Sequence, residues 1–466
     1  MNREAVAMQN DGTLSRSTLA AYGIVSIPLS TIGLPLVIYL APFYAGEVGL
    51  PLAMVGTVLF LARFADLIVD PAIGILSDRT RNRFGRRKSW ILPGSVVMAI
   101  GIFYLFMPEP PVTVWYLLLW SAVVYIGSTM IGLPFEAWGA ELSQSYHERT
   151  RINGARQLFN LIGLLIATLY PAYLMARGGT SGTILAGMGY LFIVLLPICV
   201  GIALWRVPEP PPVDGEKQIG LREGLRVVAR NRPFKLIALA LLIAGTGESF
   251  RITITVFFAR DFVGAQNIGM LYVYYFALGL LSVPVWVRLS RVLGKHQALC
   301  LSFFLIALVG IAMYFVKPGQ TTLFTVLFAL KGFCFGAFQL LPEAMIADVA
   351  DVDRLETGEE RQGAFYAYKI IIIKFGQALG QGLSLNLLAF VGYQAAGGSG
   401  SIAMHWLTLF YTLIPSAFFI VAIVVLWKYP LTADRHSEIR DRLAAMDRER
   451  ARLDTPGHRP LEDGLV

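Results

Sequence analysis

Charged residues and cysteines are both scarce in this chain of 466 residues. Asp, Glu, Lys and Arg make up 15% of the sequence, against about 25% in an ordinary soluble domain, which argues against most soluble enzymes. The three cysteines, Cys199, Cys300 and Cys334, lie far apart inside apolar runs, so they predict neither a disulfide framework nor a metal site. The five histidines lie in or beside loops or in the C-terminal tail, without metal-ligand spacing. With no nucleophile-base pairing or phosphate loop either, we expect neither an enzyme nor a cofactor.

Hydrophobic residues, in contrast, account for 56% of the chain, which is enough for twelve membrane spans of about 20 residues each. The net charge of +8 is spread over short basic clusters between apolar runs, so we expect a lipid bilayer rather than a nucleic acid as partner. We therefore predict an all-α membrane protein with twelve transmembrane helices. Glycines, prolines and charge clusters place the spans at roughly 20–44, 52–77, 89–107, 113–142, 157–176, 184–205, 234–259, 267–287, 297–316, 321–346, 363–391 and 404–428.

The basic residues also predict the orientation of these spans. Outside the spans, nearly all lysines and arginines fall in the two termini and the even-numbered loops, whereas the odd-numbered loops hold Arg177, Arg260 and Lys317. By the positive-inside rule, both termini are cytoplasmic. The N-terminal residues are polar and lack the short apolar core of a removable signal peptide. These features suit a multi-pass protein of a bacterial inner membrane.

The chain carries a parallel internal duplication. Gly-Arg-Arg at 85–87 matches Gly-Lys-His at 294–296, and Leu-Pro at 133–134 matches Leu-Pro at 341–342, with almost the same separation in both cases. We therefore predict an N-terminal six-helix half (1–207), a proline-rich cytoplasmic linker (208–233), a C-terminal six-helix half (234–430) and a cytoplasmic tail (431–466). Two such halves place a cavity at their interface near the membrane midplane, which predicts transport by alternating access.

Ionisable residues inside spans are costly and are therefore candidates for function. Asp66 and Asp70 are four residues apart, so both carboxylates lie on one helix face and together favour protonation or capture of a cation. Lys374 lies too deep in the eleventh span to reach the interface and needs an acidic partner, which the two aspartates could supply. Lys369 lies nearer the cytoplasmic side, where its side chain could snorkel.

Other polar residues in the spans are candidates for substrate binding or for structural ion pairs. Glu136 and Trp138 could bind a hydroxylated or cationic substrate by hydrogen bonding and stacking, although Glu136 could equally pair with Arg156. Glu248 and Arg251 have ion-pair spacing, which favours an internally neutralised pair. The candidate substrate contacts are Tyr22, Glu136, Trp138, Arg156 and Glu248.

The loop after the second span, with its basic residues, an aspartate and two spaced glycines, is a candidate conformational latch. Its basic groups can cap helix ends or pair with acids at the cytoplasmic ends of neighbouring helices. The candidate cytoplasmic gate comprises Gly74, Asp78, Arg79, Gly85, Arg86, Arg87, Glu141, Asp348 and Asp351.

These stretches resemble the major facilitator superfamily, and within it the glycoside-pentoside-hexuronide:cation symporter family. The resemblance lies in residues 62–66 and 70–71, the loop 74–87, residues 133–142 and 147–151, the aspartates at 348 and 351, and Lys374. It covers essentially the whole membrane region. It implies the superfamily fold, a coupling-cation site for H+ or Na+ at Asp66, Asp70 and Thr129 with Lys374 beside it, a sugar-binding role for Arg156, and a monomer.

The sequence also departs from the family pattern. Val69, just before the second acid, offers no oxygen ligand, which favours a proton over sodium. Two acids that bind galactosides in the family align with Ser30 and Gly132. We therefore expect cation-coupled symport of a small polar organic solute, foremost a sugar or glycoside. The alternative is an uncoupled facilitator, or a carrier of lysolipids or other amphipathic solutes, with the same fold.

Overall fold

The computed structural model describes residues 13–82, 84–143, 145–209, 227–359 and 361–453. Most of the predicted linker and the last residues of the predicted tail lie outside these ranges. Within them the secondary structure is almost entirely helical, with short helical stretches at Leu40–Pro42, Phe43–Glu47 and Phe258–Val263. Thirteen long helical segments follow one another along the chain, the first with a turn at 24–25. They are α1 (Arg16–Ile38), α2 (Leu52–Arg79), α3 (Lys88–Phe106), α4 (Val114–Glu141), α5 (Tyr146–Ala176), α6 (Ser181–Arg206), α7 (Arg232–Phe257), α8 (Ile268–Leu293), α9 (Lys295–Met313), α10 (Thr321–Thr357), α11 (Gln362–Phe390), α12 (Ser401–Leu426) and α13 (Ala433–Leu453).

The helices α1 to α12 correspond to the twelve predicted spans, so the predicted fold class is confirmed. Eleven of them, all but α11, are apolar enough to cross a membrane by length and composition alone. In α11, Lys374, Gln377 and Gln381 lower the mean hydropathy. This helix packs against α2 and α7, so its polar residues have protein neighbours instead of lipid.

Several helices are longer than the predicted spans. α5 begins at Tyr146 instead of near residue 157, and α10 continues to Thr357 instead of ending near residue 346. The added turns contain charged residues such as Glu148 and Arg354. Hydropathy marks the part of a helix that faces lipid, but a helix continues into water when its residues favour helix.

The two halves contact each other mainly through α2 with α11, α5 with α8, and α1 with α7. Glycines permit the α2–α11 crossing: a Cβ at Gly56 would lie 2.6 Å from the Cβ of Leu385, and one at Gly382 would lie 2.8 Å from the Cβ of Phe60. Small residues let helix backbones approach closely inside a membrane. The side chains of α2 and α11 therefore meet directly across the interface.

Further contacts between the halves lie at the helix ends opposite the termini. Thr57 donates a hydrogen bond to Asn386 at 3.3 Å, and the Asn267 side chain donates to the carbonyl of Ala172 at 3.0 Å. Below this closed end, the helices surround a central cavity of about 450 Å³. Both halves line it, and it lies beside the α2–α11 contact.

Candidate functional site

The acids of α2 lie at the interface with α11. The Lys374 ammonium donates a hydrogen bond to one carboxylate oxygen of Asp70 and lies 3.9 Å from the carboxylate of Asp66. The hydroxyl of Thr129 on α4 donates to the other oxygen of Asp70 at 2.8 Å. The structure thus brings together the four residues that the sequence singled out for cation coupling.

These groups are largely withdrawn from water. The Asp66 and Asp70 side chains are 5% and 14% exposed, and that of Lys374 is 28% exposed. A buried charge without a partner is strongly destabilising, so the lysine compensates the two acids electrostatically. This contact joins the two halves of the protein, because Lys374 belongs to the second half and the acids to the first.

The chemistry of this cluster suits a cation. Two carboxylates and a hydroxyl provide the hard oxygen ligands that Na+ uses, and a carboxylate can bind a proton instead. The two carboxylates are balanced by the Lys374 ammonium and by the guanidinium of Arg63, one turn before Asp66. A monovalent cation that binds the carboxylates would therefore take the place of the ammonium.

Arg63, one turn before Asp66, is a further contact that sequence reasoning did not assign. Its guanidinium donates to the Gln377 side chain of α11 at 2.8 Å and lies 5.2 Å from the centre of the Tyr125 ring. Arg63 also lines the central cavity. The sequence does indicate that an arginine inside a span needs a partner. It does not identify the partner here, because Gln377 is neutral and cannot be found by searching for an acid.

The candidate substrate residues occupy two different places. Glu248 lines the cavity, where it accepts hydrogen bonds from Arg251 at 3.1 Å and from the Tyr275 hydroxyl at 3.1 Å. The predicted Glu248–Arg251 pair therefore forms, and Arg251 is fully buried. Arg156 and Glu136 form an ion pair at 3.1 Å but are not among the lining residues of the cavity.

Tyr22 and Trp138 lie in a packed aromatic cluster rather than on the cavity wall. Tyr22 stacks on Phe135 with ring centres 4.5 Å apart and contacts Trp138 edge-on at 6.2 Å. The Trp138 indole is fully buried and donates to the carbonyl of Pro208 at 3.0 Å. In this conformation the two side chains pack α1 against α4. The prediction that Trp138 stacks on a substrate considered this residue by itself and did not include these neighbours.

The candidate gate of the first half forms an ion-pair network at the end of α2. Arg87 contacts Asp78 at 2.6 Å and Glu141 at 2.6 Å, and Arg86 also pairs with Glu141. Burial by itself would lower the pKa of Arg87, but hydrogen bonds to Glu141 and Asp78 outweigh it and raise the pKa. The network therefore keeps its positive charge and ties the loop to α2 and α4.

The remaining candidate gate residues near this loop are two glycines, which contribute backbone, and an exposed arginine. Gly85 has a φ of +99°, which favours glycine, and a Cβ there would collide with the carboxylate of Glu209. The carbonyl of Gly74 accepts a hydrogen bond from the Ser77 hydroxyl at 3.1 Å. Arg79 is exposed at the last position of α2.

The second half repeats this arrangement at matching positions. Gly294 has a φ of +91°, and Lys295 contacts both carboxylate oxygens of Asp348 at 2.6 and 2.7 Å. The helix α13 adds His436, which lies 3.1 Å from Asp351 and 3.3 Å from Asp348. In each half, a basic residue after a glycine of positive φ thus pairs with an acid of the fourth or tenth helix.

Comparison with known proteins identifies the family. A family model described as "MFS/sugar transport protein" matches residues 21–433, nearly the whole membrane region. The chain belongs to this family. The resemblance to the major facilitator superfamily and its glycoside-pentoside-hexuronide:cation symporter family is therefore confirmed.

Three relatives match this chain over most of their own length. An uncharacterized symporter of Synechocystis sp. is 26% identical over 92% of this chain and 96% of its own. The isoprimeverose transporter of Lactiplantibacillus pentosus is 22% identical over 84% of both chains. The sodium-dependent lysophosphatidylcholine symporter 1-A of Danio rerio is 23% identical over 89% of this chain and 85% of its own.

Solved structures support the fold alone. The nucleoside transporter NupG superposes with a TM-score of 0.65 over 89% of this chain and 99% of its own, at 14% identity. At that identity the match carries no information on the substrate. It agrees with the twelve-helix arrangement described above.

Proposed function

We propose that this protein is a secondary active transporter that couples the entry of a sugar or glycoside to that of H+ or Na+. The observation that carries the proposal is the contact of Lys374 with Asp70 across the two halves. A buried acid pair held by a lysine across the interface is a site where a monovalent cation can compete with the ammonium. Its position on the interface lets ion binding affect how the halves approach each other.

The lysine acts as an internal cation in this scheme. When a coupling ion binds Asp66, Asp70 and Thr129, it competes with Lys374 for the same carboxylate oxygens and weakens the link between α2 and α11. The ion therefore changes the relative stability of the two conformations. By linkage, a substrate that prefers the ion-bound conformation binds more tightly when the ion is present.

The proposed topology follows the positive-inside prediction. The halves 1–207 and 234–430 move against each other, the linker 208–233 connects them, and both termini and the tail 431–466 lie in the cytoplasm of a bacterial cell. Contacts such as Thr57–Asn386 at the opposite end support an inward-facing conformation. The two ion-pair networks after α2 and α8 then form the cytoplasmic gate.

A sugar or glycoside is the favoured substrate. The cavity volume of about 450 Å³ lies within the range of small-ligand sites, about 300–1,000 Å³, and polar side chains of both halves line it. The isoprimeverose transporter among the relatives is named for a sugar. Glu248 contacts the substrate in this conformation, whereas Arg156, Glu136, Tyr22 and Trp138 are proposed to do so in another conformation.

A carrier of amphipathic solutes is the second candidate. Leucine, isoleucine and phenylalanine side chains form much of the cavity wall, including Leu164, Phe276, Phe335 and Phe338. One relative is named as a lysophosphatidylcholine symporter. A lysolipid that competes for transport, where sugars do not, would favour this candidate.

The test is uptake by the purified protein in proteoliposomes. A panel of radiolabelled neutral sugars, uronic acids and lysophosphatidylcholine would be supplied with an inward Na+ gradient, an inward H+ gradient or neither. Accumulation of a sugar above its external concentration with one gradient supports the proposal. Equilibration of the solute at the same rate and level under all three conditions would instead identify a facilitator without ion coupling.

A further inference from the structure

The hydrogen-bonding side chains of the central cavity are concentrated on the second half of the protein. The first half contributes Ser30, Arg63 and Asn160, of which Ser30 and Asn160 hydrogen-bond to each other. The charged and amide side chains that the second half contributes are Glu248, Gln339, Glu343, Lys369, Gln377 and Gln381. Hydrogen bonds to a polar ligand are thus available mainly on the wall formed by α7, α10 and α11.

Glu343 is the most accessible acid on this wall. It directly follows Pro342 on α10, its side chain is 52% exposed, and Lys369 of α11 pairs with one of its carboxylate oxygens. Tyr366 supports the pair: its hydroxyl donates to the backbone carbonyl of Glu343 at 3.1 Å, and Lys369 lies 5.2 Å from its ring centre. A carboxylate offers about four acceptor sites on its two oxygens, so Glu343 can still accept hydrogen bonds from a ligand in the cavity.

The pair is asymmetric in its exposure. The Lys369 side chain is only 8% exposed, whereas that of Glu343 is 52% exposed. The lysine therefore holds the carboxylate from behind and balances its charge. The face presented to a ligand is an acceptor of hydrogen bonds, which suits hydroxyl groups and repels a second carboxylate.

The charge balance of the wall points to the class of ligand. Glu343 is compensated by Lys369, and Glu248 is compensated by Arg251, with the buried Lys331 as a further base near this second pair. Arg63 lies one turn from Asp66 and donates to Gln377, so its charge adjoins the acid cluster. A ligand carboxylate beside Glu343 would be repelled by this acid, although water around its 52% exposed side chain moderates the repulsion.

We propose that Glu343, held by Lys369, is a specificity-determining residue that selects neutral polyhydroxylated ligands over the corresponding acids. The inference rests on the proposed function and names the substrate class within it: neutral sugars rather than uronic acids. Hydroxyl groups of the ligand donate to the accessible carboxylate, and the neighbouring amides of Gln339 and Gln377 offer both donors and acceptors. Recognition thus depends on α10 and α11 of the second half.

The test compares matched ligands that differ by one carboxylate. Equilibrium binding to the purified full-length protein is measured for D-glucose against D-glucuronate and for D-galactose against D-galacturonate. Wild type is expected to bind the neutral member of a pair more tightly. E343Q is expected to weaken binding of the neutral sugar about ten-fold, through loss of charged hydrogen bonds.

The same variant also changes selectivity in a way that a structural role would not. E343Q frees the Lys369 ammonium to pair with a ligand carboxylate, so the affinity for the uronate relative to the neutral sugar should rise. Glu356→Gln is the matched control, because it removes an exposed acid of the same helix away from the cavity. It should leave both affinities and their ratio unchanged.

A second variant keeps the test informative if the unpaired lysine prevents folding. The double variant E343Q/K369M removes both charges, and it should lose affinity for the neutral sugar without gaining affinity for the uronate. Preference of wild type for the uronate would overturn the inference. An unchanged ratio of uronate to neutral-sugar affinity in both E343Q and the double variant would overturn it too. Either result would leave the proposed cation-driven uptake in place. Failure of every sugar and uronate to bind or to be accumulated would remove the proposed function and this inference with it.

Discussion

Asp70→Asn perturbs the proposed coupling site most selectively. Asp70 accepts hydrogen bonds from both Lys374 and Thr129, and asparagine keeps the size of the side chain while removing its charge. Asp66 and Lys374 then balance each other, at 3.9 Å in the present geometry. The site loses one of the two carboxylates that a cation would bind, so we expect transport without coupling.

The size of the effect follows from the energy of one ion. A ten-fold cation gradient is equivalent to about 1.4 kcal/mol, and a membrane potential of about 100 mV adds about 2.3 kcal/mol per charge. With one ion per solute, wild type should accumulate its solute about ten-fold on the chemical gradient alone. Asp70→Asn should reach equal concentrations inside and outside.

The assay is uptake of the best sugar from the ligand panel into proteoliposomes with a ten-fold inward gradient of Na+ or H+. Glu109→Gln is the control, since it removes an exposed acid from the loop between α3 and α4 and should accumulate like wild type. Exchange of labelled for unlabelled solute shows that the Asp70→Asn protein is folded. Undiminished accumulation by Asp70→Asn would refute the coupling role of this carboxylate.

Four further substitutions test the electrostatics and the gate. Lys374→Met removes the ammonium that competes with the coupling cation, so the cation should stabilise the purified protein at a several-fold lower cation concentration. An unchanged dependence on cation concentration would exclude competition by the lysine. Arg87→Ala removes a guanidinium that is 5% exposed and pairs with Glu141, and it should lower the free energy of unfolding by about 3 kcal/mol. Lys295→Ala removes a half-exposed amine and should lower it by about 1 kcal/mol or less. Equal losses in melting temperature would contradict this ranking. Gly85→Ala places a Cβ at a φ of +99° and should cost about 1–3 kcal/mol, so an unaltered melting temperature would show that the loop adopts another conformation.

Much of the fold was predictable because hydropathy and loop charge report directly on the membrane. The spans, their number and the internal duplication can all be read from apolar runs and repeated short motifs. The added helical turns of α5 and α10 could not, since residues such as Glu148 and Arg354 lie in water and leave no hydropathy signal. The polar character of α11 likewise becomes intelligible only when α2 and α7 are seen beside it.

The candidate site was predictable where helical spacing and burial cost act together. Asp66 and Asp70 share a helix face, and Lys374 is too deep to remain without an acid, so their approach could be expected. The partners of Lys369 and Arg63 were not foreseen, because charge alone does not choose between Glu343 and solvent or identify the neutral Gln377. For Trp138, the sequence suggested a substrate contact where the structure has a packing contact, because a single aromatic residue does not reveal that Tyr22 and Pro208 lie beside it.

The most direct test of the account is the ratio of ion flux to solute flux, measured together in the same proteoliposomes. The account predicts one Na+ or H+ per solute in wild type and solute movement without ion movement in Asp70→Asn. Solute accumulation by wild type without accompanying ion flux, or the same ratio in Asp70→Asn, would contradict it.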